Sequence, residues 1–217
     1  MLLDDNFKTI TDAIEEGRTL FGTIRKLIMY LLADDFSELA LFFGAMALGM
    51  PIPLLPAHIL WINVIEDGFP GTALAFEGKE HEVMEDPPRA PQEPLFHRPL
   101  RKFAALVALI TGIAALGTFA LLWANVADLA RVRTIVFALM ALDSLIFAFV
   151  VRALRKPVVR TDLFANRLLV AAAGFGLALL LAAIYLPILQ RIVSTVPLAV
   201  TDWLVVLAVS AIELVFL

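Results

Sequence analysis

Six apolar runs, at about residues 26–49, 56–76, 102–124, 134–153, 164–187 and 199–217, dominate this 217-residue chain, and each can cross the roughly 30 Å of hydrocarbon in a bilayer. A soluble core has no use for so many. Hydrophobic residues make up 61% of the chain and mean hydropathy is +0.89, in agreement with the runs. Within hydrocarbon, every backbone N–H and C=O needs a partner inside the protein. Nothing here alternates with the two-residue period of a barrel strand, so the runs predict helices. The expected fold is an all-α membrane protein with six transmembrane helices in a bundle.

Charge sets the orientation. Six spans put both termini on one side, together with the 77–101 and 154–163 connections. The other side holds only Arg131, Arg133 and Arg191, leaving fourteen of the seventeen Lys and Arg on the side of the termini. The positive-inside rule then predicts an integral membrane protein with both termini cytoplasmic, and the plasma (inner) membrane is the simplest expectation for its location. The segment before the first run places Phe7, Ile10, Ala13 and Ile14 at helical spacing, which predicts a cytoplasmic stalk continuous with the first span. The 77–101 connection carries Pro87, Pro88, Pro91, Pro94 and Pro99, which preclude a regular helix there. The expected organisation is a stalk (1–25), a helical hairpin (26–76), a cytoplasmic loop (77–101) and a four-helix support region (102–217). A net charge of −4 without a basic stripe argues against nucleic acid as a partner, and membrane lipid is the expected one. Without cysteine there is no disulfide, thiolate metal site or cysteine nucleophile.

Acids in the middle of the first two runs point to chemistry. The first carries Asp34, Asp35 and Glu38, and the second carries Asn63, Glu66 and Asp67. Ionisable groups at that depth are costly and mark ion pathways or binding sites. Asp34 and Glu38 are four residues apart and Asp35 and Glu38 three, so all three are expected to converge on one side of a helix. Asn63 and Asp67 share a face in the same way. Gly68, Pro70 and Gly71 are expected to interrupt the helix just after that face and free carbonyl oxygens for a cation. Carboxylates plus an amide form an all-oxygen set suited to a hard cation such as Ca²⁺, and the candidate metal ligands are Asp35, Glu38, Asn63, Glu66 and Asp67. Pairing of some acids for packing alone is the competing explanation. His58, His81 and His97 are scattered and read as solvated or interfacial, while Asp202 and Glu213 read as membrane-interface residues.

These residues carry a resemblance. Leu2-Leu-Asp4-Asp5-Asn6-Phe7, Ala13-Ile-Glu15-Glu16-Gly17-Arg18, Pro53-Leu-Leu-Pro56, Ile59-Leu60-Trp61-Ile62-Asn63 and Asp67-Gly68-Phe69-Pro70 resemble the C-terminal membrane part of P-type cation-transporting ATPases, in the branch of the calcium and sodium/potassium pumps. The likeness is strong over residues 2–100 and looser over 101–217. It implies that the six spans match the last six helices of a ten-helix pump. It also implies that Asp35, Glu38, Asn63 and Asp67 stand at cation-ligand positions, Asp35 replacing an Asn and Glu66 replacing the usual Thr. So many acids cannot all stay ionised without cations. Ca²⁺ is the favoured transported ion, and Mn²⁺ and proton-coupled exchange stay open.

The family's Asp-Lys-Thr-Gly phosphorylation motif, actuator motif, nucleotide-binding domain and fourth-span Pro-Glu-Gly-Leu-Pro segment do not occur in this sequence. The resemblance therefore implies no ATP site here and no enzyme activity by the chain alone, with a partner chain or region supplying the catalytic domains. Three functions stay open: the ion-binding portion of a pump, a free-standing cation-binding or channel-like protein, and a non-transporting membrane scaffold.

Overall fold

The computed structural model describes residues 7–77, 84, 98–152 and 166–216. The Leu2–Asn6 segment, Pro87, Pro88, Pro91 and Pro94 of the 77–101 connection, and the 154–163 connection lie outside the described residues; Pro99 lies in the first turn of a helix that begins at Arg98, where proline is tolerated, so the helix starts before the expected end of the loop. Among the described residues the chain is helical and has no strand.

Eight α-helices follow one another: α1 (Phe7–Ala47), α2 (Pro56–Trp61), α3 (Gly68–Ala75), α4 (Arg98–Asn125), α5 (Leu129–Arg152), α6 (Arg167–Tyr185), α7 (Pro187–Val193) and α8 (Val200–Phe216). A π-helical turn, Ile62–Glu66, joins α2 to α3. Among the described residues three helices are long and apolar enough to cross a membrane: α4, α5 and α6. The other three expected runs depart from a plain apolar span for physical reasons. The first carries three acids, the second is broken by the π turn, and α8 has 17 residues.

The stalk is continuous with the first run. A helix of 41 residues, α1 has no break between Phe7 and Ala47; at 1.5 Å per residue it extends about 60 Å, twice the thickness of the hydrocarbon. Its packed face is a helical stripe of Tyr30, Ala33, Asp34, Ser37, Glu38, Leu41 and Ala45, all buried. The facing helix α4 is small-sided, with buried Ala108, Thr111, Gly112 and Ala115. A Cβ added at Gly112 would lie 2.6 Å from the Ala40 Cβ, so glycine sets this close approach.

At the centre lies α5, buried along nearly its whole length. Two apolar clusters pack around it. One joins Leu41 and Ala45 of α1, Ile62, α5 from Val132 to Ala141, Leu180 to Ile184 of α6, and Val206 of α8. The other joins Met29, Tyr30 and Ala33 of α1, Ala73 and Leu74 of α3, Phe147 to Val151 of α5, and Leu169 of α6. Between the clusters, on every one of these elements, the side chains turn small or polar: Asp34 to Glu38, Glu66 and Asp67, Asp143 and Ser144, Gly176, and Ser210 to Glu213. The bundle is thus layered apolar, polar, apolar along its axis.

Polar clamps close both ends. Arg152 Nε donates to Glu77 Oε1 at 2.6 Å, and Asn166 Nδ2 donates to Glu77 Oε2 at 2.7 Å, tying the ends of α3 and α5 to the start of α6. Asn166 also caps α6 by accepting from the Leu169 N–H at 3.0 Å. At the opposite end the Arg131 guanidinium binds both oxygens of Asp202, at 3.0 and 2.8 Å, joining the starts of α5 and α8. Asp202 is therefore an ion-paired helix clamp. His58 differs from its expected solvated place as well. It is fully buried, stacks on Phe137 at 4.8 Å, and accepts from the Leu55 N–H at 3.3 Å where α2 begins.

The Arg152–Glu77 pair is nearly inaccessible, with side-chain exposures of 7% and 13%. Removing one partner of a buried pair strands the other charge. Arg152→Ala is expected to cost about 3 kcal/mol, and Arg152→Lys less, because it keeps the charge but loses the planar fork. Chemical unfolding of the detergent-solubilised chain measures both.

Candidate functional site

The polar layer is built from three elements. On α1, Asp34 and Glu38 are one turn apart and both buried, with Ser37 between them donating to the Asp34 carbonyl at 2.7 Å. Asp35 is exposed. The expected convergence of three acids therefore holds for two, because Asp35 lies off the stripe that α1 buries. Asp34, absent from the expected ligand set, takes the inward place.

The second element is the π turn. The expected interruption after Asp67 instead falls at Ile62–Glu66, inside the acid-bearing stretch, and the α-helix resumes at Gly68. The Asp67 N–H reaches back five residues to the Ile62 carbonyl at 2.9 Å, which is the π signature, and Gly71 then restores the four-residue pattern to Asp67 at 2.8 Å. The extra residue turns two successive acids inward: Glu66 has no exposed surface and Asp67 only 2%. Pro70 sits in the first turn of α3 and has no N–H to give the Glu66 carbonyl. That carbonyl is not left for a cation, since Tyr30 of α1 donates its hydroxyl to it at 2.9 Å.

The third element is α5, through Ser144. Its hydroxyl donates to Asp67 Oδ1 and lies 2.8 Å from the Tyr30 hydroxyl. Tyr30 and Ser144 thus tie α1, the π turn and α5 around Asp67. Tyr30 was invisible as a site residue in the sequence, where an aromatic in an apolar run reads as core. Only its spacing of four from Asp34 placed it on the acid face.

Several oxygens in this layer lack donors. Asp34 Oδ2, Glu38 Oε1, Asp67 Oδ2 and both oxygens of Glu66 are buried without a hydrogen-bond partner. Among the described residues no ion pair reaches them. Asp34 neighbours Asp67 and Glu38. Asn63 is half-buried beside Glu38, and its amide N–H donates to the Ile59 carbonyl at 2.9 Å. Glu66 points the other way along the layer, against α6, where a Cβ at Gly176 would come within 2.7 Å of its Oε2. Among the described residues no three His, Asp or Glu side chains are already gathered around one point that could hold a metal. The acids form a layer of unpartnered oxygens, and uncompensated buried carboxylates of this kind call for protons or cations.

A family model described as "Cation transporting ATPase, C-terminus" matches residues 51–217. The chain belongs to this family. It is the C-terminal region of a P-type cation ATPase, and the match to residue 217 carries the likeness through the half where the sequence motifs were looser. The "Calcium-transporting ATPase" of Bacillus subtilis is 39% identical over 98% of this chain and 24% of its own length. The "Endoplasmic reticulum calcium ATPase srcA" of Aspergillus fumigatus is 30% identical over 97% of this chain and 25% of its own. The "Probable cation-transporting ATPase F" of Mycobacterium bovis is 34% identical over 97% and 23%. This P-type ATPase region thus spans about a quarter of the length of the relatives it matches.

Tyr30→Phe tests the linkage within the layer. The variant keeps the ring and leaves the Glu66 carbonyl without its donor, so a loss of about 1–3 kcal/mol in unfolding free energy is expected. An equal loss for Tyr30→Phe made with and without Ser144→Ala would show that the two hydroxyls act independently, contrary to their 2.8 Å contact.

Proposed function

We propose that this region is the ion-binding membrane portion of a pump for a divalent cation, Ca²⁺ before Mn²⁺, and that it works with a chain or region carrying the phosphorylation, nucleotide-binding and actuator domains. The observation that carries the reading is the set of buried, donor-free carboxyl oxygens of Asp34, Glu38, Glu66 and Asp67 between two apolar clusters. Oxygen-only ligands suit a hard cation, and the names of two relatives specify calcium. In this reading Asn63 adds an amide oxygen. Asp35, at the ligand position the family likeness implies, faces outward here, and Asp34 takes its part.

The six runs are read as six spans, with the stalk of α1 and both termini in the cytoplasm of a cell bounded by this membrane. Part of the support is mechanical. Because α1 is unbroken from Phe7 to Ala47, a displacement of the stalk near Lys8 reaches Asp34, about 39 Å away, as rigid-body motion. The acids of α1 would then move against those of the π turn, where Tyr30, Ser144 and Pro70 hold the opposing wall. Tilting one wall against the other changes the oxygen geometry and with it the affinity, which is the requirement for alternating access. ATP hydrolysis is assigned to the domains outside this chain, and the chain alone is read as lacking it.

Calorimetry on the detergent-solubilised chain with Ca²⁺, Mn²⁺ and Mg²⁺ tests the assignment. Saturable Ca²⁺ binding is expected, weakened at least tenfold (about 1.4 kcal/mol) in Glu38→Gln/Asp67→Asn. Unchanged binding in the double variant would favour a scaffold that merely keeps the family's packing. Cation flux through liposomes containing the chain alone would favour a channel.

A further inference from the structure

The cation reading leaves one pair of buried acids without a use. Asp143 of α5 and Glu213 of α8 are 8% and 3% exposed, and their carboxyl groups adjoin. Neither was expected in a site. Glu213 read as an interface residue, yet α8 turns it into the bundle, one turn from Ser210 on the buried stripe Asp202, Val206, Ser210 and Glu213. The Ser210 hydroxyl donates to Asp143 Oδ1 at 2.5 Å. Asp143 Oδ2 and Glu213 Oε1 have no hydrogen-bond partner. Both acids line a cleft with room for a water-sized occupant, whose other polar walls are Asp34 and Ser37 of α1 and Thr111 of α4. No Lys, Arg or His lines it.

We infer that Asp143 and Glu213 form a proton-binding carboxyl pair, with Glu213 carrying the proton and donating it to Asp143, across a water-sized cleft from Asp34. Two adjoining carboxylates without a basic neighbour cannot both be charged away from water unless something positive sits between them. The Ser210 bond decides which member is ionised. A hydroxyl that spends its proton on Asp143 favours the charged form of that group, leaving Glu213 as the donor. The balance is one proton and one net negative charge for the pair, with the cleft as the route by which the proton comes and goes. From α1, Asp34 and Ser37 face the cleft; from α4, Thr111; from α8, Ser210. The Asp34 carboxyl also neighbours Asp67 and Glu38. Helix α8 then contributes a charge-bearing site as well as support.

Infrared spectroscopy of the full chain in lipid nanodiscs at neutral pH, without divalent cations, reads the proton directly. The difference spectrum between the chain and Glu213→Gln should show the loss of one protonated-carboxyl C=O band that shifts in D₂O. Gln keeps an N–H to donate to Asp143, so this variant preserves the packing. Asp143→Asn and Ser210→Ala change the acceptor and should shift the same band without abolishing it, while Glu38→Gln/Asp67→Asn should leave it in place. A band that survives Glu213→Gln, or one unmoved by both Asp143→Asn and Ser210→Ala, overturns the inference. So does a band abolished by Na⁺ in the chain without divalent ions, since the pair would then be a metal-cation site. Because the probe sees the proton, failure here leaves the Ca²⁺ assignment standing, and failure of Ca²⁺ binding leaves this result readable.

Discussion

A layer of carboxyl groups held out of water between two apolar clusters is the constraint on which the rest of the bundle depends. Each acid buried there costs free energy that its surroundings must offset, and packing alone does not require it. The fold meets that cost with hydroxyl groups. Ser144 donates to Asp67, Ser210 donates to Asp143, and Tyr30 donates to the Glu66 carbonyl. Each of these bonds crosses from one helix to another. The polar layer therefore fixes the relative register of α1, the π turn, α5 and α8 more specifically than the apolar contacts above and below it.

The π turn shows how the local backbone serves that layer. A regular helix through residues 62–67 would advance Glu66 and Asp67 by 100° each and send one of them away from the bundle. Inserting a residue into the turn brings both inside, and Pro70 makes the deviation cheaper by removing a donor that the regular pattern would have used. Tyr30 then satisfies the freed carbonyl. Gly176 completes the arrangement from α6, because a side chain there would push the Glu66 carboxyl from its present place.

Much of this was legible in the sequence. Apolar runs gave the helices, and acids at i, i+3 and i+4 gave a polar face on the first two runs. The motifs around Asn63 and Asp67 led to the family. Three features escaped. Spacing alone could not choose Asp34 over Asp35, since each is within one turn of Glu38; the choice came from which stripe of α1 packs on α4 and α5. The break near Pro70 was located too late in the chain, because proline constrains the carbonyl four residues earlier and the disturbance appears there. Glu213 looked like an interface residue from its place near the chain's end, and only the packing of α8 on α5 brings it against Asp143. In each case a tertiary contact decides what a one-dimensional period leaves degenerate.

On the proposed function, the stripe of α1 that packs inward selects the cation ligands. Comparing Ca²⁺ affinity in Asp34→Asn and Asp35→Asn tests it most directly, as the two substitutions are chemically identical and adjacent. At least a tenfold loss is expected for Asp34→Asn (about 1.4 kcal/mol) and a change of less than twofold for Asp35→Asn. The reverse order, with Asp35→Asn abolishing binding and Asp34→Asn tolerated, would contradict it.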